Sequence, residues 1–296
     1  MPETHIKNLL ERRDGFLLSF EFFPPKDHRG FAVLEKTVSQ LRILEPDFVT
    51  VTYGAGGRTR ARTLALAELL REIGFRPVMP HLTCISTAAR DLSRIVDEIA
   101  ARGFRNIMAL RGDPPAEGGP RPEGLPHAIN LVRLIRSRHP DICIGVAGYP
   151  ETHPEAPDPD TDVRHLKEKL EAGADFVITQ LFFDNRFYLQ FVERCRRHGI
   201  SQPIIPGLLP AVSLPQVERI MQLCRSTTFP PDLRSALEKV RDDPVQSERI
   251  GLEWTRNQMA GLFESGAPGV HLYILNRTRT ALAPLLRDFL AAHRRA

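Results

Sequence analysis

Ser19-Phe20-Glu21-Phe22-Phe23-Pro24-Pro25 is the stretch from which the fold is read. Its side chains alternate, and the alternation extends back to Leu17, so a β-strand is predicted over Leu17–Phe22. Leu18, Phe20 and Phe22 then share one face, and Leu17, Ser19 and Glu21 share the other. Similar short, β-branched runs recur at Phe48–Thr52, Val78–Thr83, Asn106–Leu110, Ile142–Ala147, Phe176–Gln180, Ile204–Pro206 and Val270–Leu275. Segments of helical period alternate with them, at Gly30–Leu44, Arg62–Ile73, Ala88–Arg102, Leu125–Arg138, Val163–Ala172, Arg186–His198 and Ser213–Cys224. Gly74, Gly103, Gly173 and Gly199 stand where helices end on a left-handed residue. Eight β-then-α units favour a closed barrel over an open, doubly wound sheet. The expected fold is therefore α/β, a (β/α)8 TIM barrel forming a single domain over residues 1–296. A helical insertion of about 229–264, Phe229 to Glu264, is expected before the last strand. In such a barrel the Glu21 face points inward and the Phe20 face packs outward against helices.

Composition narrows the function class. The chain has 296 residues, 42% hydrophobic and 26% charged, enough for one large globular unit with a real core. No apolar run reaches about eighteen residues, and residues 1–13 are polar and mixed in charge, so neither a membrane span nor a secretory leader is expected. A soluble, cytoplasmic protein is the resulting expectation. Cys84, Cys143, Cys195 and Cys224 are far apart and form no metal-binding or thiol-exchange pattern. Reduced, structural thiols are the default reading. The net charge of +4 comes from basic residues scattered among acids, without a basic block interleaved with aromatics. That argues against nucleic acid and suits a small anionic ligand, or simply a solvated surface.

Polar and ionisable residues gather where the predicted strands end: Glu21, Thr52, His81, Arg111 with Asp113, Tyr149 with His153, Gln180, and Tyr273 with Asn276. Barrel enzymes place their chemistry on that rim. The stretches Gly112–Pro126 and Pro150–Asp162 read as long rim loops. A carboxylate at Glu21, hemmed by aromatic neighbours, would have its charged form disfavoured and its pKa raised, which suits a general acid. A structural pairing with an arginine is the other reading of the same position. Asp113 lies before Pro114 and reads either as a turn residue or as a rim carboxylate. His81 is a structural histidine or a hydrogen-bond donor, and neither it nor His153 has a second metal ligand at metal spacing. Tyr149 is placed to pack on a flat ligand or on the rim itself, and the Gln180 amide offers donor and acceptor together. Gly54-Ala55-Gly56-Gly57 lacks a third glycine, with Thr59 in its place, and no P-loop is present.

Taken in order, SFEFFPP (19–25), VTVTYGA (49–55), HLTCI (81–85), ALRGDP (109–114), AGYPETHPEA (147–156), TQLFFD (179–184), IIPGLLP (204–210) and YILNR (273–277) resemble the methylenetetrahydrofolate reductases. Each motif alone is weak, but eight collinear ones are specific, and they span the chain from about Leu18 to Arg277. The resemblance implies an FAD-dependent barrel that reduces 5,10-methylenetetrahydrofolate to 5-methyltetrahydrofolate with hydride from NADH or NADPH. It implies a ping-pong order in which flavin is reduced first and folate then takes the same flavin face. On this likeness Glu21 is the acid that opens the methylene bridge and Asp113 the carboxylate beside flavin and pterin. Gln180, Leu214 and Arg277 fall on substrate positions. Thr52, His81, Arg111, Gly112, Asp113, Ala147, Tyr149, His153, Asp162 and Lys169 fall on positions for FAD. Arg111 and Lys169 would face the pyrophosphate and Asp162 a ribose hydroxyl. Leu214 stands where some members carry a stacking phenylalanine, so it supplies apolar contact without a ring. No metal is implied. A homo-oligomer, dimer or tetramer, is expected from the family and from an amphipathic last helix, Arg277–Arg294. The short form resembles bacterial members, for which NADH is the usual donor, and no inhibition by S-adenosylmethionine is expected. A related flavin barrel acting on an amino acid, such as a proline dehydrogenase, and a folate- or flavin-binding protein without turnover are the alternatives.

Overall fold

A computed structural model describes residues 3–12, 15–53, 60–85, 87–113, 124–281 and 283–293. Gly54–Gly57 with Thr59, and Pro114–Glu123 of the loop expected over Gly112–Pro126, lie outside the described residues.

Eight parallel strands close on themselves in sequence order. They are β1 (Leu17–Phe22), β2 (Phe48–Val51), β3 (Val78–Thr83), β4 (Asn106–Leu110), β5 (Cys143–Gly148), β6 (Phe176–Leu181), β7 (Ile204–Leu208) and β8 (Gly269–Leu272). Closure is by β8 on β1, with Ser19 opposite His271, and Glu21 lies opposite Thr50 of β2. The side-chain period of two assigns the faces as the sequence predicts. Leu18, Phe20 and Phe22 are fully buried in the layer between sheet and helices. Each contributes about 1.5–3 kcal/mol relative to exposure. Leu17 points the other way, against the cluster inside the barrel.

That inner cluster comprises Phe48, Met79, Met108, Cys143, Phe176, Ile178 and Ile205, together with Ile6 and Leu10 of α1 (Ile6–Arg12). Helix α1 thus plugs one mouth of the barrel. Its approach is fixed by polar contacts with main-chain groups. Glu3 accepts from the backbone N–H groups of Val78 (2.9 Å) and Arg105 (3.0 Å), and Asn106 accepts from Ile6 N–H (2.8 Å) while donating to the Thr4 carbonyl (3.0 Å).

Outside the sheet run α2 (His28–Val38), α3 (Arg60–Ile73), α4 (Ala89–Ala101), α5 (Ala128–Arg138), α6 (Pro159–Glu171), α7 (Asn185–Arg197) and α8 (Leu214–Leu223). Asp158, Asp184 and Ser213 cap α6, α7 and α8 through side-chain oxygens, and Gly74, Gly103, Gly173 and Gly199 have φ between 80° and 115°. The predicted insertion segment contains α9 (Pro231–Lys239) and the long α10 (Pro244–Glu264).

Three predicted elements are corrected. The helix expected over Gly30–Leu44 is α-helical only to Val38 and then tightens into a 3-10 turn over Ser39–Leu44. Hydroxyls of Thr37 and Ser39 bond to carbonyls of the preceding turn there, competing with the regular ladder. Strand β8 stops at Leu272 rather than Leu275, because Leu275 and Asn276 adopt φ of 51° and 56°, incompatible with an extended ladder. The last helix is not continuous from Arg277: it is split into α11 (Thr278–Ala281) and α12 (Pro284–His293) at Pro284. Leu286, Phe289 and Leu290 of α12 are buried within the chain itself. Among the described residues no helix is long and apolar enough to cross a membrane.

Candidate active site

A cavity of about 860 Å³ opens at the C-terminal ends of the strands. It brings together Glu21, Thr52, His81, Arg111, Gly112, Asp113, Ala147, Tyr149, His153, Asp162, Lys169 and Gln180. These come from β1 to β6, the turns after them and, for Asp162 and Lys169, helix α6, at the rim on which barrel chemistry is expected. Leu214 and Arg277 are not brought there. Leu214, the first residue of α8, is 6% exposed in a separate cluster with Phe183, Leu209 and Phe229. Arg277 lies exposed in the turn after β8, its N–H bonded to the Ile274 carbonyl. Both fall on aligned motif positions with no strand-end position behind them, and neither lines the cavity.

Glu21 is buried on the cavity floor. Its Oε2 lies 3.6 Å from His81 Nε2 and 3.9 Å from His271 Nε2. Burial pulls the His81 pKa down to about 4, outweighing the attraction of Glu21, so His81 is neutral at physiological pH. His81 Nε2 and Thr50 Oγ1 are buried without hydrogen-bond partners. His271 is a site residue that the sequence reading missed. The available signal was parity: in a strand that sends Val270 and Leu272 outward, His271 must point inward. Tyr273, noted at a strand end but given no role, lines the same wall and donates to the Thr179 carbonyl at 2.7 Å. Its approach depends on Gly207, where a Cβ would lie 2.4 Å from the Thr179 oxygen and 2.6 Å from the Tyr273 ring. Here β6 and β7 slip register between Ile178 and Leu181, and the Thr179 hydroxyl accepts from Gly207 N–H instead. Gln180 Oε1 accepts from Leu181 N–H (2.9 Å), which leaves its NH2 group as the end able to donate.

Further along, the wall is charged. Arg111 grips Glu155 through two hydrogen bonds, of 2.5 Å and 2.7 Å, and that carboxylate holds the guanidinium pKa above its usual value. Lys169 of α6 donates to the Ala147 carbonyl at 2.8 Å, and burial lowers its pKa to about 8, partly opposed by Asp162. Asp162 accepts from His153 N–H (2.9 Å), and His153 Nδ1 accepts from Glu155 N–H (3.1 Å), which puts the imidazole hydrogen on Nε2. The His153 ring stands edge-on to Tyr149, centroids 4.6 Å apart, and burial drives the Tyr149 phenol up to about 12. Gly112 has φ of 83° and lies so close to Thr83 that a Cβ would sit 2.9 Å from it. Two cations, Arg111 and Lys169, and two acids, Glu155 and Asp162, therefore occupy one region, a buried carboxyl with two imidazoles another, and Met108, Ala147 and Ile178 give apolar wall. That suits a long ligand with an anionic segment and a flat reactive end.

Thiol and metal chemistry find no support here. Burial pushes Cys84 up to about 11, so it is not a thiolate near neutrality, and no cluster of three potential metal ligands occurs among the described residues.

Residues 5–286 match the methylenetetrahydrofolate reductase family. The 5,10-methylenetetrahydrofolate reductase of Escherichia coli (strain K12) is 35% identical over 278 residues, covering 94% of this chain and 92% of that protein. Methylenetetrahydrofolate reductase (NADH) 1 of Arabidopsis thaliana is also 35% identical, over 90% of this chain but 47% of its own length, so the chain spans about half of such plant relatives. Among solved structures, a Clostridium thermocellum protein described as binding two copies of 5-methyl-5,6,7,8-tetrahydrofolic acid superposes with a TM-score of 0.69 at 16% identity, covering 97% of this chain and 99% of that one. Dihydropteroate synthase of Xanthomonas albilineans gives 0.54 at 14% identity, covering 95% and 92%. At such identities these two structures bear on the fold alone. With the family match running almost the length of a closed barrel, the chain belongs to the methylenetetrahydrofolate reductase family.

Proposed function

We propose that this protein reduces 5,10-methylenetetrahydrofolate to 5-methyltetrahydrofolate with hydride from NADH or NADPH, using FAD. The observation that carries the proposal is one cavity holding both a buried carboxyl at Glu21 and, in a separate region, the cations Arg111 and Lys169. Converting a methylene bridge to a methyl group needs a hydride at carbon and a proton at the nitrogen released. FAD, when bound, supplies a ring that accepts and returns hydride. Glu21 supplies the proton: as its O–H breaks, the N–H forms and the bridging C–N bond opens. Gln180 donates from its amide to the pterin edge. Asp113, exposed at the rim after β4, contributes negative charge where a cationic folate intermediate develops.

The donor set fits FAD. Arg111 and Lys169 are the cations for the pyrophosphate, which finds no glycine-rich turn among the described residues. Asp162 takes a ribose hydroxyl, and Tyr149 with His153 offers an aromatic wall. Thr52, His81, Gly112 and Ala147 complete the surface against which the cofactor lies. Gly112 matters because the cavity wall there has no room for a side chain. One cavity serves both co-substrates, which supports a ping-pong order. Assembly as a homo-oligomer in the cytoplasm belongs to the same proposal and is checked by light scattering. With the apolar face of α12 already buried in its own chain, the support for assembly is the family.

An anaerobic absorbance experiment tests the reading. Protein reconstituted with FAD should bleach on adding NADH and recover its colour on adding methylenetetrahydrofolate. Bleaching without recovery would move the substrate elsewhere, and failure to bind FAD would remove the proposal.

A further inference from the structure

Arg111 is one of two cations on the charged wall of the cavity, yet its fork is already filled. Nη1 and Nη2 donate to the two Glu155 oxygens at 2.5 Å and 2.7 Å, and Nε turns to the Gly112 carbonyl at 3.3 Å. A guanidinium has two places where a pair of parallel N–H groups can take two oxygens of one anion. One is its end, between Nη1 and Nη2, and the other its side, between Nε and Nη2. Glu155 holds the first, and the Gly112 carbonyl occupies half of the second. A phosphate can reach single hydrogens here, but it gains a two-point grip on the end only where Glu155 has let go.

Charge points the same way. Arg111 and Lys169 are matched by Glu155 and Asp162 in this region, and a pyrophosphate diester adds two negative charges to it. Withdrawal of one carboxylate turns that balance toward attraction. Of the two acids, Glu155 is the one free to go. Asp162 is tied to His153 N–H at 2.9 Å, whereas the Glu155 side chain is 58% exposed and meets Arg111 at the cavity rim. Its main chain stays pinned while the side chain rotates: Glu155 N–H donates to His153 Nδ1 at 3.1 Å, and Ala156 N–H donates to the His153 carbonyl at 2.9 Å. We infer that Glu155 is a stand-in for phosphate, an internal anion that keeps Arg111 turned to the cavity and is displaced when a ligand bearing a pyrophosphate arrives. The inference deepens the FAD reading and rests on it for the ligand, while the displacement concerns any diphosphate that reaches Arg111. It also gives the site selectivity. A lone phosphate that meets Arg111 alone merely exchanges one anion for another, and a diphosphate that meets Lys169 as well gains by the exchange.

Two variants test the displacement. Glu155→Gln removes the charge at nearly constant shape, and Glu155→Ala removes the group. Both should bind FAD more tightly than the parent, by about threefold to tenfold in Kd read from quenching of flavin fluorescence, the range expected for a bidentate but half-exposed pair. A carboxylate that merely orients Arg111, or a variant damaged in its folding, would give weaker binding, the opposite sign. Inorganic pyrophosphate, titrated calorimetrically into the unloaded proteins, should show the same gain. A further readout needs no variant: a structure of the FAD-loaded parent should have Arg111 bonded to a phosphate oxygen and both of its bonds to Glu155 broken. Unchanged or weaker binding of FAD and pyrophosphate in both variants, or Glu155 still on both Nη atoms in the loaded parent, would overturn the inference. Failure of the parent to take up FAD would remove the cofactor reading alone. The pyrophosphate titrations would then decide, tighter binding by the variants sustaining the inference and no binding by any of the three proteins overturning it.

Discussion

Lys169 gives up its charge at about pH 8 because burial opposes the ammonium more than Asp162 supports it. Below that value it is a cation beside Arg111; above it, a neutral amine. FAD affinity, read by quenching of flavin fluorescence, should therefore weaken as pH rises through about 8 in the protein, and Lys169→Met should bind more weakly at neutral pH with that dependence flattened. Glu21→Gln should retain flavin binding and reduction by NADH while reoxidation by methylenetetrahydrofolate falls by about 10²–10⁴-fold, checked by separate anaerobic stopped-flow half-reactions. Asp113→Asn should slow both halves, since on the proposed reading it faces flavin and pterin alike. At this scale the sequence was informative wherever strand parity could be applied. A residue at the inward end of a predicted strand, such as Glu21, His81 or Gln180, reached the cavity because the pleat leaves it no other direction. The same rule covered His271, yet one histidine in a run ending Leu-Tyr-Ile-Leu carried no motif to draw notice. Leu214 and Arg277 had alignment behind them and no parity, and local packing took Leu214 into its own apolar cluster.

Elements show the same division between interior and edge. The bodies of the strands were legible because their apolar alternation is dictated by burial on both faces, while their ends were set by contacts no periodicity encodes. Strand β7 continues past Pro206 to Leu208, with the register slipping against β6 and the Thr179 hydroxyl accepting from Gly207 N–H. Strand β8 ends early on two left-handed residues. Helix α10 displays a further constraint at Gly251, where a Cβ would sit 2.0 Å from the Ala211 carbonyl oxygen. The helix backbone packs directly on the turn after β7. Gly251→Ala should force α10 outward and cost about 1–3 kcal/mol, as overpacking typically does. Thermal melts would read this as a lowered Tm, and an unchanged Tm would mean that the turn yields instead.

Across the whole molecule, stability and chemistry sit at opposite ends of one barrel. The inner apolar cluster and α1 occupy the N-terminal side, and the titratable groups occupy the C-terminal rim. Asn106 ties α1 down through two buried or half-buried hydrogen bonds. Asn106→Ala should lower stability by about 1–3 kcal/mol by stranding the Ile6 N–H, with both half-reactions unchanged in the folded fraction. Denaturant melts beside single-turnover rates would separate the two effects. Helix α1 also governs traffic. A barrel stopped at one end is a cul-de-sac: every visitor backs out by the door it entered, and a second cannot slip in from behind to hurry the first. On the reading proposed above, two bulky guests that share the inner wall would queue, and the slower departure would set the pace for both.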